Sequence, residues 1–306
     1  MSKVLAVFGA TGQQGGSVAS YVAKEVPSQY KVRAITRDPS KPAALKLKDL
    51  GIEVVAGDAN DENSLELALK GADIVFAMSA MSTDGKSSEF KDGKAIADAA
   101  VKAGASFFIW STLPPVSKLS NGELTHVEHF DDKAKVEEYV RSLPIKSAFY
   151  SPGIFLQNFH GMMKPHPTEN GYAIMNIMDP KVTLPWVDIT KDTGKFVGQI
   201  LKKPDTFAGK TLYGAGGHYS LEDISKIISK VSKRDVGYTQ IPEATYRSFM
   251  PPAIVDDITE MFKWHNKFGY FGPKTKELVN QSLTEIDFKP TTAEEYFEAN
   301  PISFSK

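Results

Sequence analysis

The segment Phe8-Gly9-Ala10-Thr11-Gly12-Gln13-Gln14-Gly15-Gly16 constrains this chain most, because it joins a short apolar run directly to a helical stretch. KVLAVFG (3–9) reads as a buried strand and SVASYVAKEV (17–26) as a helix. Glycines in such a junction allow a tight turn, let the backbone approach a pyrophosphate, and let helix and strand pack closely. The helix N-terminus then offers unpaired N–H groups and the favourable end of its dipole to phosphate. The spacing is Gly-x-x-Gly-x-x-Gly rather than the tighter Gly-x-Gly-x-x-Gly. The strand before it and the helix after it supply the context a dinucleotide loop requires. Gly9, Thr11, Gly12, Gln13, Gln14 and Gly15 are the candidate phosphate-binding residues; the alternative is a plain glycine-rich turn.

The same unit repeats through the first half. Strand-like segments 30–37, 52–58, 73–79, 106–112 and 145–155 alternate with helical segments 41–51, 62–72, 90–104 and 129–143. This alternation predicts an α/β fold, a Rossmann-type doubly wound parallel sheet with right-handed crossovers. Strands that are apolar throughout fit a sheet covered on both faces. After about residue 153 the rhythm breaks. Residues 153–176, GIFLQNFHGMMKPHPTENGYAIMN, read as loop with short strands. VTLPWVD (182–188) reads as a strand, with Asp188 as N-cap of the helix that follows. SLEDISKIISKVSKR (220–234) reads as a helix capped by Ser220 with Asp223 in its first turn, VGYTQI (236–241) as a strand, and TAEEYFEAN (292–300) as a last helix. The expected layout is a dinucleotide-binding domain over 1–153 and a smaller α+β C-terminal portion over 154–306, which packs over the cofactor cleft. Some of its segments, such as 182–200, are expected to return to the Rossmann sheet.

Composition narrows the chemistry. The chain has no cysteine, which excludes disulfides, zinc–thiolate sites and a cysteine nucleophile. A formal net charge of -1 gives no electrostatic case for nucleic acid or an anionic membrane. His160 and His166 stand alone, and His126 and His129 lack a third ligand, so no metal site is expected. No apolar run approaches the roughly 18 residues of a membrane helix. Val4 to Phe8 meets the glycine loop at once, unlike a secretion signal. The expectation is a soluble protein of the cytoplasm, with the nucleus as a further compartment.

The end of the second strand bears on cofactor choice. NAD sites place an acid there for the ribose 2′-hydroxyl. Here the strand runs Ala34-Ile35-Thr36-Arg37-Asp38-Pro39-Ser40-Lys41. A guanidinium can grip a 2′-phosphate bidentately and a lysine adds a point charge, so Arg37 and Lys41 point to NADP(H). Asp38 is a competing partner for Arg37. Asp58, with Ala59 after it, ends the third strand where a carboxylate can accept from the adenine amine or close a turn. Met78, Ser79 and Ala80 end the fourth strand, beside the expected ribose position. Ser111 and Thr112 end the fifth, either as substrate-polarising hydroxyls or as turn caps.

The ensemble FGATGQQGGSVA, AITRDPSK, VVAGDAND, HFDDKAKVEEYV and GIFLQNF resembles the NmrA-like family of atypical short-chain dehydrogenase/reductase proteins. That family includes fungal nitrogen-metabolite regulators and an animal NADPH-sensing homologue. Ordinary short-chain dehydrogenases carry Tyr-x-x-x-Lys on the helix after strand five, where positions i and i+4 share a face. Here those positions are His129 and Lys133, so the tyrosine acid is missing. The resemblance implies that Lys133 binds the cofactor's ribose hydroxyls. His129 is either a replacement acid, since it titrates near neutrality, or a helix-surface residue. The resemblance also implies that Phe155, Leu156, Gln157 and Asn158 cover the nicotinamide. Two functions stay open: a cofactor sensor acting through a protein partner, with a homodimer as a further assembly, and an NADPH-dependent reductase of small carbonyl, enone or quinone substrates that relies on Lys133.

Overall fold

A computed structural model describes residues 2–81 and 88–304. Strands β1 (Lys3–Val7), β2 (Tyr30–Thr36), β3 (Glu53–Ala56), β4 (Ile74–Ala77), β5 (Phe107–Ser111) and β6 (Lys146–Pro152) alternate with helices. These are α1 (Gln13–Glu25), α2 (Pro42–Asp49), α3 (Glu62–Leu69), α4 (Glu89–Lys102), the short α5 (Val116–Leu119) and α6 (Glu128–Ser142). There follow β7 (Ile154–Phe155), a 3-10 turn over Leu156–His160, β8 (His166–Thr168), β9 (Gly171–Asn176) and β10 (Leu184–Val187). Next come α7 (Ile189–Lys202), α8 (Pro204–Phe207), β11 (Thr211–Gly214), β12 (Gly217–Tyr219), α9 (Leu221–Ser232) and β13 (Val236–Gln240). Helices α10 (Glu243–Ser248), α11 (Val255–Phe268), α12 (Thr275–Thr284) and α13 (Ala293–Ala299) complete the described chain.

The main sheet has seven parallel strands in the order β11-β6-β5-β4-β1-β2-β3. Its central strands β4, β5 and β6 are buried on both faces, as uninterrupted Val, Ile, Phe and Ala runs require, while the edge strand β3 is only partly covered. Val18, Leu47 and Phe196 from α1, α2 and α7 cover one face. Leu65, Ile96 and Val136 from α3, α4 and α6 cover the other. The order reverses between β1 and β4, and the crevice beyond their carboxyl ends is where open α/β sheets bind ligands.

The second half departs from the periodicity reading in three ways. The strand within 182–200, β10, pairs with β7 and β12 in a separate three-stranded sheet, so it does not rejoin the main one. The helix in that segment, α7, does return: it lies against α1, with Gly194 N donating to Ser17 Oγ at 2.9 Å. The seventh main-sheet strand is β11, whose four residues Thr-Leu-Tyr-Gly are too short to show a period. Helices α10 to α12 fill residues for which the sequence suggested no element. They belong to a third core built around Trp186, Trp264, Phe159 and Phe297. The cap of α9 matches expectation: Ser220 and Asp223 form a reciprocal capping box. No helix among the described residues is long and apolar enough to cross a membrane.

Candidate cofactor site at the carboxyl edge of the sheet

The loop after β1 turns at Gly9, whose φ of 64° is the left-handed region that favours glycine. Gly12 N closes the turn on Gly9 O at 2.8 Å. A Cβ on Gly15 would sit 2.4 Å from the Gly9 carbonyl oxygen, so helix and loop meet only because that atom is missing. Gly12 is the N-cap of α1 and has no side chain to occupy the first N–H groups of the helix. Thr11, Gly12 and Gln13 are exposed on the rim. Gln14 is buried instead, and its amide oxygen accepts from Ser111 Oγ at 2.8 Å. Ser111 is therefore occupied inside the protein. Met78 lies over the turn, where a Cβ on Gly9 would approach its sulfur to 2.8 Å. A cleft of about 440 Å³ opens beside the loop, lined by Thr11, Gly12, Gln13, Lys46, Thr190 and Lys191 among others.

At the end of β2, Arg37 is exposed, and no hydrogen bond or ion pair engages its side chain among the described residues. Asp38 does not compete for it. Its carboxylate accepts from Ser40 N at 2.9 Å and Ser40 Oγ at 2.5 Å, and these bonds hold its pKa below the usual carboxylate value. Lys41 is exposed at the N-cap of α2. Asp58 closes a turn by accepting from Asn60 N at 2.9 Å, and its own N–H donates to Ser64 Oγ at 3.0 Å. Ala59 beside it packs partly into the core.

The densest chemistry lies past the end of β4. Lys133 is 8% exposed and Glu89, in the first turn of α4, is 1% exposed. Lys133 Nζ donates to Glu89 Oε2, to Ser79 O at 3.1 Å and to Ser79 Oγ at 3.0 Å. Ser79 Oγ in turn donates to Glu89 Oε2 at 2.5 Å. Burial lowers the Lys133 pKa, while Glu89 works against that shift. The neighbouring Ala80 is exposed. Lys133 is thus a buried amine bound to Glu89 and Ser79, and Lys135 is the surface lysine of the helix, paired with Asp132 at 2.8 Å. The sequence alone does not single out Glu89, because an acid in the first turn of a helix ordinarily reads as a dipole partner facing water.

His129 is not the helix-surface residue that was one of its two expected forms. It is mostly buried, its ring Nδ1 meets Asp257 of α11, and its backbone N donates to Asp257 Oδ2 at 3.2 Å. The side chain four residues before Lys133 thus packs against α11 through its contact with Asp257.

The stretch after β6 divides. Phe155 and Asn158 are half-buried, and no side-chain hydrogen bond occupies Asn158 among the described residues. Leu156 is fully buried in the C-terminal core. The amide of Gln157 holds the start of α7, donating to Asp188 Oδ1 at 2.7 Å and accepting from Ile189 N at 3.2 Å. A contact from Leu156 or Gln157 to a cofactor would therefore fall to the backbone. A larger cavity of about 820 Å³ lies along the other face of α6, lined by residues such as Lys118, Asp131, Glu138 and Tyr213. None of the candidate cofactor residues lines it, and the glycine loop, not volume, marks the site. Among the described residues no group of histidine and acidic side chains could hold a metal ion.

The sequence matches the profile of the NmrA-like family over residues 1–297. An NmrA-like family domain-containing protein of Dictyostelium discoideum is 32% identical, over 97% of this chain and 98% of that one. An NmrA-like family domain-containing oxidoreductase of Aspergillus flavus, lnaB, is 30% identical over 90% of this chain and 88% of its own. Among solved structures, NmrA, a negative transcriptional regulator in complex with NADP, superposes with a TM-score of 0.82 at 25% identity, over 98% of this chain and 95% of NmrA. NmrA has also been crystallised with NAD.

Proposed function

The chain belongs to the NmrA-like family, and from that premise we propose that it binds NADP(H) in the crevice between β1 and β4 and acts as a cofactor sensor through protein partners. Arg37 carries the cofactor assignment: it is an exposed guanidinium at the ribose end of β2, with its acidic neighbour already bound to Ser40. Gly9, Gly12 and the N-terminus of α1 would hold the pyrophosphate, Arg37 and Lys41 the 2′-phosphate, and Ser79 and Lys133 the nicotinamide ribose. Phe155 and Asn158 would cover the nicotinamide. Bound NADPH would supply a hydride; the protein's part is to bind, orient and shield. NmrA's own complex with NADP supports the assignment.

The sensor reading rests on the proton, not the hydride. No tyrosine stands four residues before Lys133, and His129 is held on Asp257. Residues 1–153 would act as the cofactor unit, joined by α7 and β11, and residues 154–306 as the unit that presents a surface to the partner. A cytoplasmic location and a homodimer belong to the same reading. The second reading, a reductase of small enones, quinones or carbonyls using Lys133, is favoured by the oxidoreductase names of several relatives. Two measurements test the proposal. Calorimetry of cofactor-free protein with NAD, NADH, NADP and NADPH should give saturable binding with preference for the phosphorylated pair. A quinone and enone panel should show slow NADPH oxidation; rapid turnover abolished by Lys133→Ala makes the chain a reductase.

A further inference from the structure

The knot of Ser79, Glu89 and Lys133 carries an inference of its own. We propose that Glu89 is the positioning residue for Lys133: its carboxylate, bridged by the Ser79 hydroxyl, holds the ammonium at the carboxyl edge of the sheet where a dinucleotide's ribose would meet it. The identity of that ligand rests on the NADP(H) reading; the holding of Lys133 does not.

An ammonium has three donors. In Lys133 all three are engaged, by Glu89 Oε2 and by the two oxygens of Ser79. The one hydroxyl proton of Ser79 goes to Glu89, so its oxygen can only accept from Lys133. A ribose hydroxyl can therefore gain a bond from Lys133 only in exchange for one of these three. Releasing a Ser79 oxygen loses a neutral acceptor. Releasing Glu89 would separate two buried charges, which is far more unfavourable. Glu89 is thus the fixed partner and Ser79 the exchangeable one.

The fold keeps the pair together. A Cβ on Gly93, one turn beyond Glu89, would lie 2.6 Å from Val136 Cγ2, so the missing side chain lets α4 pack closely on α6 one turn from the pair. Trp110 Nε1 donates to the Lys133 carbonyl at 3.0 Å and fixes the lysine's backbone as well. Glu89 Oε1 is buried and has no hydrogen-bond partner among the described residues. A buried oxygen without a partner calls for an explanation, and holding a site residue is one. The other charges that act on Lys133 are Asp132 on its own helix and Asp257 on α11.

The test is the titration of Lys133 itself in cofactor-free protein, by NMR of ε-13C-labelled lysine, with Lys133→Arg assigning the signal. In the parent the signal should remain that of an ammonium through neutral pH. In Glu89→Gln the midpoint should fall about one to three pH units below the parent's, the reach of an adjacent opposite charge. Glu89→Asp, which keeps the charge, should bring it back toward the parent. NADPH affinity of Glu89→Gln should drop about tenfold as pH rises through the new midpoint, while the parent's stays flat there. A purely structural carboxylate would lower stability without tying affinity to the titration of Lys133. An unmoved midpoint in Glu89→Gln overturns the proposal. So does a parent Lys133 already neutral at pH 7, which is readable even if Glu89→Gln fails to fold. Lack of saturable NADPH binding by the parent, with the Lys133 midpoint shifted as expected, would overturn the cofactor reading and leave Glu89 as the holder of Lys133.

Discussion

Replacing Arg37 by aspartate should erase or reverse the preference for NADP(H) over NAD(H). The side chain is exposed, with no hydrogen bond or ion pair of its own among the described residues, and Asp38 is bound to Ser40. The substitution therefore breaks no structural contact, and its effect reads out at the ligand. A hydrogen bond from a guanidinium to a phosphate contributes about 1.5–3 kcal/mol. At about 1.4 kcal/mol per decade this is about ten- to a hundredfold in affinity. Exposure to solvent places the expected value toward the lower end and makes it salt-dependent. The introduced carboxylate would repel a 2′-phosphate and can accept from a 2′-hydroxyl, so NAD affinity should hold or improve. Lys41→Ala should have the same sign and a smaller size, because an ammonium binds phosphate as a point charge without the bidentate fork. Calorimetry on cofactor-free protein at two salt concentrations measures all of this. Equal affinity of the parent for NAD and NADP, or an unchanged ratio in Arg37→Asp, would refute the reasoning.

Gly15→Ala should destabilise the protein by about 1–3 kcal/mol, since its Cβ would meet the Gly9 carbonyl oxygen at 2.4 Å; a urea transition that coincides with the parent's would disprove the close approach. Turnover with small quinones should fall about 10²–10⁴-fold short of an enzyme with a positioned acid, and steady-state NADPH oxidation checks it. His129→Phe should lower thermal stability by losing the contact with Asp257 yet leave NADPH affinity unchanged; a loss of affinity at equal stability would place the ring at the cofactor after all. The hydrogen bond to Glu260 raises the His126 pKa. Its stabilisation is then complete below the ordinary histidine value of about 6.5 and is lost as pH rises through the raised one. The His126 side chain is 59% exposed, so the effect should stay below about 1 kcal/mol. Melts of the parent and His126→Ala should differ near pH 6 and converge near pH 9, and a gap that widens with pH would contradict the sign.

Local chemistry made the first half of the fold legible. Gly9, Gly12 and Gly15 have one strand before them and one helix after, so the loop and the switch-point crevice follow from residues adjacent in the chain. The same holds for the Asp38–Ser40 turn and for the capping box of Ser220 and Asp223, whose partners sit two and three residues apart. The place of Arg37 at a strand end makes it a candidate phosphate ligand, and its side chain is exposed there. Its freedom from Asp38 was not legible, because two orientations of that carboxylate are compatible with one sequence.

The tertiary structure decided what depends on partners distant in the chain. Glu89 and Lys133 are 44 residues apart and meet because Gly93 lets two helices approach. His129 and Asp257 are 128 residues apart, and the helix that brings Asp257 lies in a stretch whose sequence suggested no element. Strand β11 is four residues long and exists as a strand because β6 offers it an open edge. Spacing along the chain sets which residues share a helix face or a turn. Which buried charge finds its counter-charge is set by packing, where one missing Cβ decides whether two helices touch.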